Sequence, residues 1–458
     1  MERLFYYKTF SKLEETKLAQ QAFLLFGGFT TGKYPNFITA IEKYDLDILV
    51  IDVKNDSTEL NLHRRESIEG HPFQKIKEFA LINPNEIQKV LSQILIWKNS
   101  YEIKGVYTIR ESFVEILGLV ADYLGLPSPG LRASQVCRNK FLQRLYFDKW
   151  SPSYVCLTPE QRNEVTAIRD QSFPAILKPI SREGSSGVLR VNSQGEMMQA
   201  LEQEYASDET VLIEQYIRGR EYSVETLIQN KKIIFSCPTQ KRTNELKGNC
   251  FVEMAHTVPA ANLKEEEYQK LLDINREIVK KLNFKNGISH AEYKIDSEGN
   301  IYLMEIAARN PGDGILQLYQ VTTGIPLENI LIDIALEKEA QYLAPNRFAR
   351  QVYFDHTPGI LVDFLIEEDI GITPVWLREE GIRPLITPSN HNDEPQIKEL
   401  LIERKKGDQL FEIKASKDRC GAFIFDSNTK NNLDDLEDYF AAKISIITDS
   451  YSKDDSIE

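Results

Sequence analysis

The sequence predicts a parallel α/β domain at the start of the chain, followed by a mixed α+β region. Three observations indicate this fold class. Apolar runs typical of buried strands alternate with helical patterns over about the first 128 residues, an order that favours a parallel sheet. A hairpin pattern covers residues 287–314, and beyond about Ala344 short strands and turns replace helices. A chain of 458 residues also has room for about three domains.

The first region contains the alternating strands and helices of a Rossmann-like domain. Its helices are predicted from apolar spacing, and the last one ends at the turn signal Gly125-Leu126-Pro127. In chain order the predicted elements are strand 21–28, helix 35–43, strand 45–53, helix 84–97, strand 105–107 and helix 112–124.

One segment of this region has the pattern of a phosphate-binding P-loop. Residues 27–34, GGFTTGKY, follow a predicted strand and fit G-x-x-x-x-G-K. A P-loop needs Ser or Thr at the next position to bind Mg²⁺, and the phenol of Tyr34 is too bulky for that role. We interpret the segment as a glycine-rich strand exit, and its role stays open.

Basic and glycine-rich segments in the middle of the chain are compatible with anion binding. The helix predicted over residues 132–150 is basic, which a solvated helix face would also explain. Its basic residues are Arg138, Lys140, Arg144 and Lys149. Lys178 ends a strand and is followed by the loop 181–187, SREGSSG. Glycines permit the positive φ that turns backbone N–H groups towards phosphate oxygens, although an ordinary flexible hairpin is the alternative.

Residues 210–225, TVLIEQYIRGREYSVE, are predicted to form a strand, a turn and a second strand. The exit of the first strand can offer backbone groups to an adenine edge, with a nearby carboxylate for ribose hydroxyls. This signal is not specific by itself. The amphipathic pattern of residues 264–282 indicates a helix with a packing role only.

The segment 287–314 carries the most informative pattern, a β-hairpin with Glu298-Gly299 as its two-residue loop. This loop predicts that Glu292 lies directly opposite Glu305. The period of two then places two sets of side chains on opposite faces. The apolar set is Tyr293, Ile295, Tyr302, Met304 and Ile306, and the other set is Glu292, Leu303, Glu305, Ala307 and Arg309.

Two carboxylates that face each other in a ladder repel unless a cation compensates them. Their Cβ atoms are about 5 Å apart, and Mg²⁺ suits this position because it binds one or two protein carboxylates together with phosphate oxygens and water. Arg309, four residues after Glu305 on the same predicted face, would hold an anion beside the metal. The alternative is an exposed face with solvated acids, or a register displaced by one residue.

Composition and charge exclude several functional classes. The net charge of −14 argues against general binding to nucleic acid or anionic membranes. The five cysteines form no CxxC pair, which suits a reducing compartment and predicts no zinc site. MERLFYYKTF is not a signal peptide, and charged residues interrupt every apolar run, so we expect a soluble cytoplasmic protein.

Taken together, these motifs resemble the ATP-grasp superfamily in order and spacing. They are Lys140 on a helix, Lys178 before the glycine/serine loop, Glu214 seven residues before Glu221, and Glu292 thirteen residues before Glu305. The resemblance covers Gly125 to about Leu343. It implies an N-terminal α/β domain over residues 1–128, an ATP-grasp domain over 129–345 with a lid subdomain at about 150–217, and a β-rich α+β subdomain with an acidic tail over 346–458.

Within this superfamily the chain looks most like the L-amino-acid ligases, carboxylate–amine ligases that make dipeptides. Residues 305–309, EIAAR, are similar to the E-I-x-A-R segment of that group. Residues 251–259, FVEMAHTVP, resemble its substrate loop, in which Glu and His are three residues apart. Residues 420–425, CGAFIF, loosely resemble the end of its C-terminal domain.

The resemblance implies roles for individual residues. Glu292 and Glu305 would hold one or two Mg²⁺ ions, for which Mn²⁺ can substitute, and Arg309 would stabilise the acyl phosphate and the tetrahedral oxyanion. Glu253 and His256 would line the amino-acid pocket, where His256 is either a base or only a contact. The implied ATP-binding residues are Lys140, Lys178, Ser185, Ser186 and Gly187 at the phosphates, Gln215, Tyr216 and Ile217 at adenine, and Glu221 at the ribose, with Glu214 in the same motif.

The chain departs from the superfamily pattern at two positions. Ala307 replaces the Asn metal ligand of many ATP-grasp enzymes, so a second Mg²⁺ would depend on Glu305 alone. Asp313 would border the acceptor pocket and favour a polar or cationic partner.

The resemblance implies an ADP-forming ligase that joins a small carboxylate, expected to be an amino acid, to an amine through an acyl phosphate. The alternatives are an ATP-grasp ligase of nucleotide or cofactor biosynthesis that acts on another acid, and a nucleotide-binding regulator that has lost its chemistry. The sequence does not identify the acid, the amine or the pathway, and it leaves the choice between monomer and homodimer open.

Overall fold

A four-stranded parallel sheet with helices on both faces forms the first part of the protein. A computed structural model describes residues 19–29, 35–163, 172–182, 184, 186–245, 250–380 and 382–449. The strand order β3-β2-β1-β4 confirms the predicted Rossmann-like α/β arrangement. The elements are β1 (Gln20–Phe26), α1 (Asn36–Glu42), β2 (Asp47–Asp52), α2 (Asp56–Ser67), β3 (Ile76–Leu81), α3 (Ile87–Trp97), β4 (Tyr101–Thr108) and α4 (Val114–Leu124).

Alternation along β1 explains why this sheet is covered on both faces. Phe23 and Leu25 are fully buried in one core with α1, whereas Leu24 and Phe26 are fully buried in another with α3 and α4. The strand order reverses at β1, because the chain runs from β1 through β2 to β3 on one side and returns to β4 on the other. Ligands of open α/β sheets bind at such a reversal, outside the edge formed by the carboxyl ends of the strands. Glu111, which follows β4 closely, lies at this edge.

The predicted basic helix over residues 132–150 is wrong as a single element, because it is broken at Asn139. Asn139 has extended φ and ψ, and its side chain accepts a hydrogen bond from the N–H of Leu142 at 3.0 Å, which starts a new helix. The face is also not simply solvated, since Arg144 is fully buried. The two helices are α5 (Leu131–Arg138) and α6 (Lys140–Tyr146).

A small antiparallel sheet follows, with the strand order β5-β8-β6-β7. One face packs on α7, where Met197 and Leu201 share one buried cluster with Leu177 and Ile213 of the sheet. The glycine/serine loop lies between β6 and β7 in the chain. The elements are β5 (Tyr154–Leu157), β6 (Ala175–Pro179), β7 (Leu189–Val191), α7 (Gln194–Gln203) and β8 (Val211–Gln215).

Over the described residues, a large mixed sheet runs through the rest of the chain in the order β13-β12-β9-β10-β11-β14-β19-β17-β16. Strands on both sides of residue 346 belong to it, because β14 pairs with β11. Its first elements are β9 (Arg220–Gln229), β10 (Lys232–Thr243), β11 (Glu253–Val258), α8 (Glu265–Leu282), β12 (Gly287–Ile295), β13 (Ile301–Ala307), α9 (Ile315–Thr323) and α10 (Leu327–Ala335).

The C-terminal strands complete this sheet and add a three-stranded one, β18-β15-β20, beside α12. The short strands expected beyond residue 344 are therefore present. The remaining elements are β14 (Phe348–Tyr353), β15 (Gly359–Ile366), β16 (Val375–Trp376), α11 (Leu377–Glu380), β17 (Ile397–Ile402), β18 (Gln409–Leu410), β19 (Gly421–Ser427), α12 (Leu433–Ala442) and β20 (Ile444–Asp449).

Two further sequence observations can be compared with this fold. Of the glycine-rich segment 27–34, only Gly27, Gly28 and Phe29 lie within the described residues, and the N–H of Phe29 donates to the Asp52 carboxylate at 3.0 Å. Among the described helices, none combines the length and the apolar character that crossing a membrane requires.

Candidate active site

The hairpin of β12 and β13 brings Glu292 directly opposite Glu305. The predicted two-residue loop is wrong, because residues 296–300 form a five-residue turn and Ile295 pairs with Ile301. The predicted pairing of the two carboxylates is nevertheless confirmed.

A β-bulge in β13 explains how a longer turn leads to the same carboxylate pair. Tyr293 pairs with Leu303, so Met304 is the extra residue before Glu305. As a result, the predicted faces of β13 are wrong from Tyr302 to Met304. Leu303 is fully buried in the core with Tyr293, whereas Tyr302 and Met304 are half-buried, and Met304 lines the cleft described below. Beyond the bulge the predicted faces are confirmed, since Ile306 is buried in the core with Tyr293 and Glu305 pairs with Glu292.

Each of the opposed carboxylates contacts a lysine. Glu305 Oε1 accepts a hydrogen bond from Lys140 Nζ at 3.0 Å, and Glu292 Oε1 accepts one from Lys241 Nζ at 2.5 Å. Lys140 Nζ also donates to the carbonyl oxygen of Arg182, in the glycine/serine loop, at 2.9 Å. These ammonium groups offset the repulsion between the two carboxylates.

A cleft of about 300 Å³ lies between the small antiparallel sheet and the large mixed sheet. Almost all of the predicted site residues line it, although they come from widely separated parts of the chain. Those residues are Lys140, Lys178, Ser186, Glu214, Gln215, Tyr216, Ile217, Glu221, Glu253, His256, Glu292, Glu305 and Arg309.

Lys178 is held in the cleft by a buried ion pair. Glu214 accepts from Lys178 Nζ at 2.8 Å and from Arg144 Nε at 2.6 Å. Burial alone would raise the pKa of Glu214, but Arg144 and Lys178 lower that pKa to about 2. Burial lowers the pKa of Lys178 to about 8. Because both oxygens of Glu214 are engaged, this carboxylate orients Lys178 rather than facing a ligand.

Glu221 lies between two lysines. Lys241 Nζ and Lys294 Nζ are each 3.8 Å from its carboxylate. Burial raises the pKa of Glu221, although the two lysines oppose that shift. Lys294 Nζ also donates to Glu245 at 2.7 Å, and the hydroxyl of Tyr216 donates to the same carboxylate. Lys294 and Glu245 therefore connect Glu221, the predicted ribose contact, with Tyr216, one of the predicted adenine contacts.

Two backbone N–H groups at the end of β8 already donate hydrogen bonds within the protein. The N–H of Gln215 donates to the carbonyl of Ser153 at 2.9 Å, and the N–H of Tyr216 donates to the carbonyl of Pro174 at 3.4 Å. Ile217 is buried and lines the cleft. Predicted backbone contacts with adenine would therefore have to come from Ile217 or from carbonyl groups.

The glycine/serine loop has the backbone conformation that the sequence predicts for its glycines. Gly184 has φ +65° and Gly187 has φ +74°. A Cβ at Gly187 would lie 2.7 Å from Arg182 Nη1, so both space and backbone favour glycine there. Ser186 lines the cleft, and Ser185 lies outside the described residues.

Arg309 is anchored by a residue of the N-terminal sheet region. Its Nε donates to Glu111 Oε2, and Arg138 Nη1 donates to Glu111 Oε1 at 3.1 Å. Burial would raise the pKa of Glu111, but the two guanidinium groups lower it. Arg309 Nη1 also donates to the carbonyl of Asn310 at 2.7 Å. The guanidinium is thereby fixed at the edge of the cleft.

His256 and Glu253 lie on β11, beside a buried ion pair. Arg419 donates to both oxygens of Asp313, at 2.7 and 3.0 Å, and to the backbone carbonyl of Glu253 at 2.9 Å. Burial opposes ionisation, but Arg419 and His256 hold the pKa of Asp313 well below its usual range. The expected preference of Asp313 for a cationic partner is therefore not supported, because its charge is already compensated. The carboxylate of Glu253 lies 3.2 Å from Lys241 Nζ.

The hydrogen bond of His256 with Asp313 determines which ring nitrogen is available. His256 Nε2 is 2.8 Å from Asp313 Oδ2, and an ionised carboxylate only accepts hydrogen bonds, so Nε2 carries the proton. In the neutral ring, Nδ1 is then an acceptor. Nδ1 is buried and has no hydrogen-bond partner among the described residues.

Residues 171–317, which include most of this cleft, match the family model of the ATP-grasp domain. The chain carries an ATP-grasp domain. Lys178, Glu214, Glu292, Glu305 and Arg309 all lie within the matched residues.

Individual relatives resemble the chain over different lengths. A D-alanine–D-alanine ligase of Campylobacter lari is 31% identical over 235 residues, which are 49% of this chain and 65% of that protein. The chain therefore spans somewhat less than two thirds of that relative. An L-amino acid ligase from Bacillus licheniformis superposes with a TM-score of 0.71 at 17% identity, covering 94% of this chain and all of that structure.

A third similarity concerns a solved structure with a bound nucleotide. The biotin carboxylase domain of a 2-oxoglutarate carboxylase from Hydrogenobacter thermophilus superposes with a TM-score of 0.63 at 12% identity, over 93% of this chain and 90% of that chain. Its structure is a complex with MgADP and bicarbonate. At these identities the two structural similarities establish the fold alone.

Two acidic residues of the ATP-grasp domain are suited to bind a metal ion that phosphate oxygens also coordinate. Among the described residues, no group of three or more His, Cys, Asp or Glu side chains could hold a metal by itself. Mg²⁺ commonly takes one or two protein carboxylates and completes its octahedron with phosphate oxygens and water. The pair Glu292 and Glu305 supplies that number of ligands.

Sequence reasoning missed three basic residues of the ATP-grasp domain, namely Lys241, His290 and Lys294. Lys241 contacts Glu292, as described above, and His290 lies between two carboxylates, with Nδ1 2.7 Å from Glu225 and Nε2 3.3 Å from Glu292. Burial would lower the pKa of His290, but the two carboxylates raise it to about 9. The period of two in β12 is a signal for His290, because residues 290, 292 and 294 share one face.

Proposed function

We propose that this protein is an ATP-dependent ligase that joins the carboxylate of an amino acid to the amine of a second substrate. The observation that carries the proposal is the opposed pair of Glu292 and Glu305, in one cleft with Lys140, Lys178 and Arg309. This set offers ligands for a metal, cations for phosphate groups and a guanidinium for an oxyanion.

The relatives support the substrate class. Two of them are ligases whose names specify amino acids, D-alanine in one case and L-amino acids in the other. A third binds MgADP on the same fold. The two ligases favour an amino-acid substrate, and the complex with MgADP favours a magnesium-bound adenine nucleotide.

MgATP is the proposed phosphoryl donor. Lys140 and Lys178 would neutralise phosphate oxygens, while Glu292 and Glu305 would hold the Mg²⁺ that accompanies the nucleotide. Lys140 now contacts Glu305. Once a divalent cation compensates Glu305, the Lys140 ammonium can pair with phosphate instead.

The proposed chemistry has two steps. An oxygen of the substrate carboxylate attacks the γ-phosphorus of ATP, and the bond to the bridging oxygen breaks, so ADP leaves with the electron pair. The amine nitrogen then attacks the acyl carbon, and the resulting oxyanion collapses with release of inorganic phosphate. Arg309, anchored by Glu111, is suited to stabilise the charge of the acyl phosphate and of the oxyanion.

His256 is the proposed base. An ammonium group has to lose a proton before its nitrogen can attack, and Nδ1 of His256 is an acceptor without a partner among the described residues. Asp313 keeps the other nitrogen protonated. This arrangement would let the ring accept one proton and carry positive charge beside Asp313.

The proposal is tested by screening amino acids in pairs with ATP and Mg²⁺. We expect ADP to form only when both a carboxylate and an amine substrate are present. Mass spectrometry should then detect a product equal to the two substrates minus one water. ADP release that does not depend on any amino acid, or nucleotide binding without ADP release, would contradict the proposal.

Glu305→Gln tests the metal assignment. The change keeps the size of the side chain but removes its charge, so kcat is expected to fall about 10²–10³-fold. Glu298→Gln is the matched control, because Glu298 lies on the exposed turn of the same hairpin and should keep wild-type activity. Activity near the wild-type level in Glu305→Gln would remove the metal role.

A further inference from the structure

A fully buried carboxylate lies on β9, the strand that pairs with β12 on the side away from β13. This carboxylate belongs to Glu225, and both of its oxygens accept hydrogen bonds. Oε1 accepts from Ser223 Oγ at 2.7 Å, and Oε2 accepts from Thr239 Oγ1 at 2.5 Å and from the hydroxyl of Tyr319 at 2.9 Å. Glu225 is not among the residues that line the cleft, so it acts on other side chains rather than on a ligand.

His290 connects this buried carboxylate to Glu292. It lies directly opposite Glu225 in the sheet and two residues before Glu292, so the three side chains share one face. His290 Nδ1 is 2.7 Å from Glu225 Oε1, and Nε2 is 3.3 Å from Glu292 Oε1. Because ionised carboxylates only accept hydrogen bonds, the ring donates from both nitrogens, and its orientation is fixed at two points.

The two carboxylates of the hairpin are held in different ways. Glu292 accepts from His290 and from Lys241 Nζ, in both cases at Oε1, which leaves Oε2 for a ligand. Glu305 accepts from Lys140 Nζ, an ammonium group that the nucleotide would also contact. The orientation of Glu292 is therefore set within the large sheet before any ligand binds, whereas that of Glu305 depends on a side chain that the ligand can displace.

We propose that His290, held by Glu225, is a positioning residue that fixes the carboxylate of Glu292 for Mg²⁺. The assignment rests on the proposed function, because it takes Glu292 as a ligand of the metal. Hydrogen-bond partners of a ligating carboxylate orient it, and their loss typically weakens metal binding about 10- to 100-fold. A carboxylate that is already oriented also loses less conformational freedom when the metal binds.

The charges of His290 and Glu225 decide how the test has to be designed. A ring that donates from both nitrogens is cationic and by itself would repel a metal ion, but the Glu225 carboxylate compensates that charge at 2.7 Å. The two residues together are neutral, so they orient Glu292 without repelling Mg²⁺. Removal of His290 alone would leave the negative charge of Glu225 uncompensated, and the variants therefore change both residues together.

Two charge-matched double variants differ only in whether residue 290 reaches Glu292. In Glu225→Gln/His290→Asn the amide can take the place of Nδ1 but is too short to take that of Nε2, so the bond to Glu225 has a substitute and the bond to Glu292 is lost. In Glu225→Gln/His290→Gln the longer amide can reach Glu292. We expect the apparent Kd for Mg²⁺ to rise about tenfold in the first variant and to return most of the way to the wild-type value in the second.

The measurement is Tm as a function of free Mg²⁺ at a fixed concentration of a non-hydrolysable ATP analogue, which requires no turnover. Affinity for the analogue in EDTA is measured beside it. It should be the same in the wild type and in both double variants, because His290 acts on the metal ligand and not on the nucleotide.

Thr226→Val is the control for a general loss of stability. Thr226 is fully buried next to Glu225 on β9, but on the opposite face, where its hydroxyl accepts from Asn275 Nδ2 at 2.7 Å. Valine has the same shape and leaves that amide without the hydroxyl, so Tm should fall while the apparent Kd for Mg²⁺ stays at the wild-type value.

Tyr319→Phe decides the question if the double variants do not fold. The change removes one hydroxyl from Glu225 and no charge, so the apparent Kd for Mg²⁺ should rise about two- to threefold. In that case an unchanged Kd in Tyr319→Phe would overturn the positioning role.

The outcomes separate this assignment from the proposed function. Wild-type Mg²⁺ affinity in Glu225→Gln/His290→Asn, equal losses in the two double variants, or an equal loss in Thr226→Val would overturn the positioning role and leave the ligase proposal intact. A wild-type Tm that does not respond to Mg²⁺ in the presence of the analogue would overturn the metal role of Glu292 in the proposed function, and the positioning role with it.

Discussion

Burial sets the charge state of Lys178 in the cleft. The side chain is packed against Glu214 and shares that carboxylate with Arg144, yet burial lowers its pKa to about 8. Above this pH the amine is increasingly neutral. A neutral amine cannot compensate the negative charge of a phosphate group, so nucleotide binding should depend on this titration.

We therefore predict that kcat/KM for ATP falls as the pH rises through about 8, approaching a tenfold loss per pH unit. The measurement is a pH profile of kcat/KM at saturating amino acids, from about pH 7 to about pH 9.5. Lys178→Arg should flatten the profile, because a guanidinium stays protonated in this range. A profile that is flat in the wild type would contradict the role of Lys178.

Unfolding would not explain such a loss of activity. The unfolded chain keeps the proton on Lys178 up to its ordinary pKa of 10.5, whereas the folded chain releases it near 8. The unfolded state therefore binds more protons between these two values, so this group makes unfolding less favourable as the pH rises. Thermal stability that does not fall across the profile is the control that separates loss of binding from unfolding.

Residue types and spacing predicted which polar groups face one another when those groups are close in the sequence. The pairing of Glu292 with Glu305 follows from the period of two within one hairpin. Arg144 was less accessible to this reasoning, because a basic residue on a short helix is solvated in most proteins, and its partners Glu214 and Leu303 are 70 and 159 residues away. Its burial depends on tertiary contacts that local pattern does not encode.

At the scale of elements, two local errors in the predicted hairpin compensate each other. The turn is longer than the two residues predicted, so Ile295 pairs with Ile301, one residue away from the predicted register. The bulge at Met304 returns the strand to the predicted register before Glu305. Turn signals and alternation do not reveal a bulge, because the extra residue is apolar and fits either face.

The turn between β8 and β9 offers an element-scale prediction. A Cβ on Gly219 would lie 2.3 Å from the carbonyl oxygen of Ile295, at the end of β12, so a side chain there forces two strands apart. Gly219→Ala is expected to destabilise the protein by about 1–3 kcal/mol. Since Glu221 follows on β9, the KM for ATP should also rise. Thermal unfolding followed by circular dichroism and steady-state kinetics measure the two effects.

Gly195→Ala is the matched glycine control for this prediction. Gly195 lies in α7, where the nearest atom to an added Cβ, Ser193 Oγ, is 3.9 Å away. Alanine favours a helix over glycine by up to about 1 kcal/mol, so this variant should be as stable as the wild type or slightly more stable. Equal stability of the two variants would show that the close approach of Gly219 to β12 does not determine the free energy of unfolding.

At the scale of the whole molecule, the sequence predicted the order of the motifs and the α/β fold class, but not how distant parts meet. Glu111 from the first region contacts Arg309 across 198 residues, and Arg419 from the C-terminal part contacts Asp313 across 106 residues. The C-terminal strands also continue the sheet that carries Glu292. Strand partners at such separations are chosen by packing of whole faces, which no local periodicity specifies.

Because the walls of the cleft come from two sheets, a magnesium-bound nucleotide should stabilise the whole fold. A ligand at a hundred times its Kd adds about 2.7 kcal/mol to the free energy of unfolding, which for a chain of this size corresponds to a Tm increase of about 3 °C. We expect this increase with a non-hydrolysable ATP analogue and Mg²⁺, and a smaller one with the analogue and EDTA. Differential scanning calorimetry measures both.

Glu305→Gln should abolish the magnesium-dependent part of this stabilisation, because the metal loses one of its two carboxylates. Glu298→Gln, on the exposed turn, should retain it in full. The calorimetric readout does not require turnover, so it tests the metal site even if the true substrates are absent from the amino-acid screen. An equal increase in Tm with and without Mg²⁺, or an unchanged response in Glu305→Gln, would separate nucleotide binding from the carboxylate pair and leave the hairpin a structural role only.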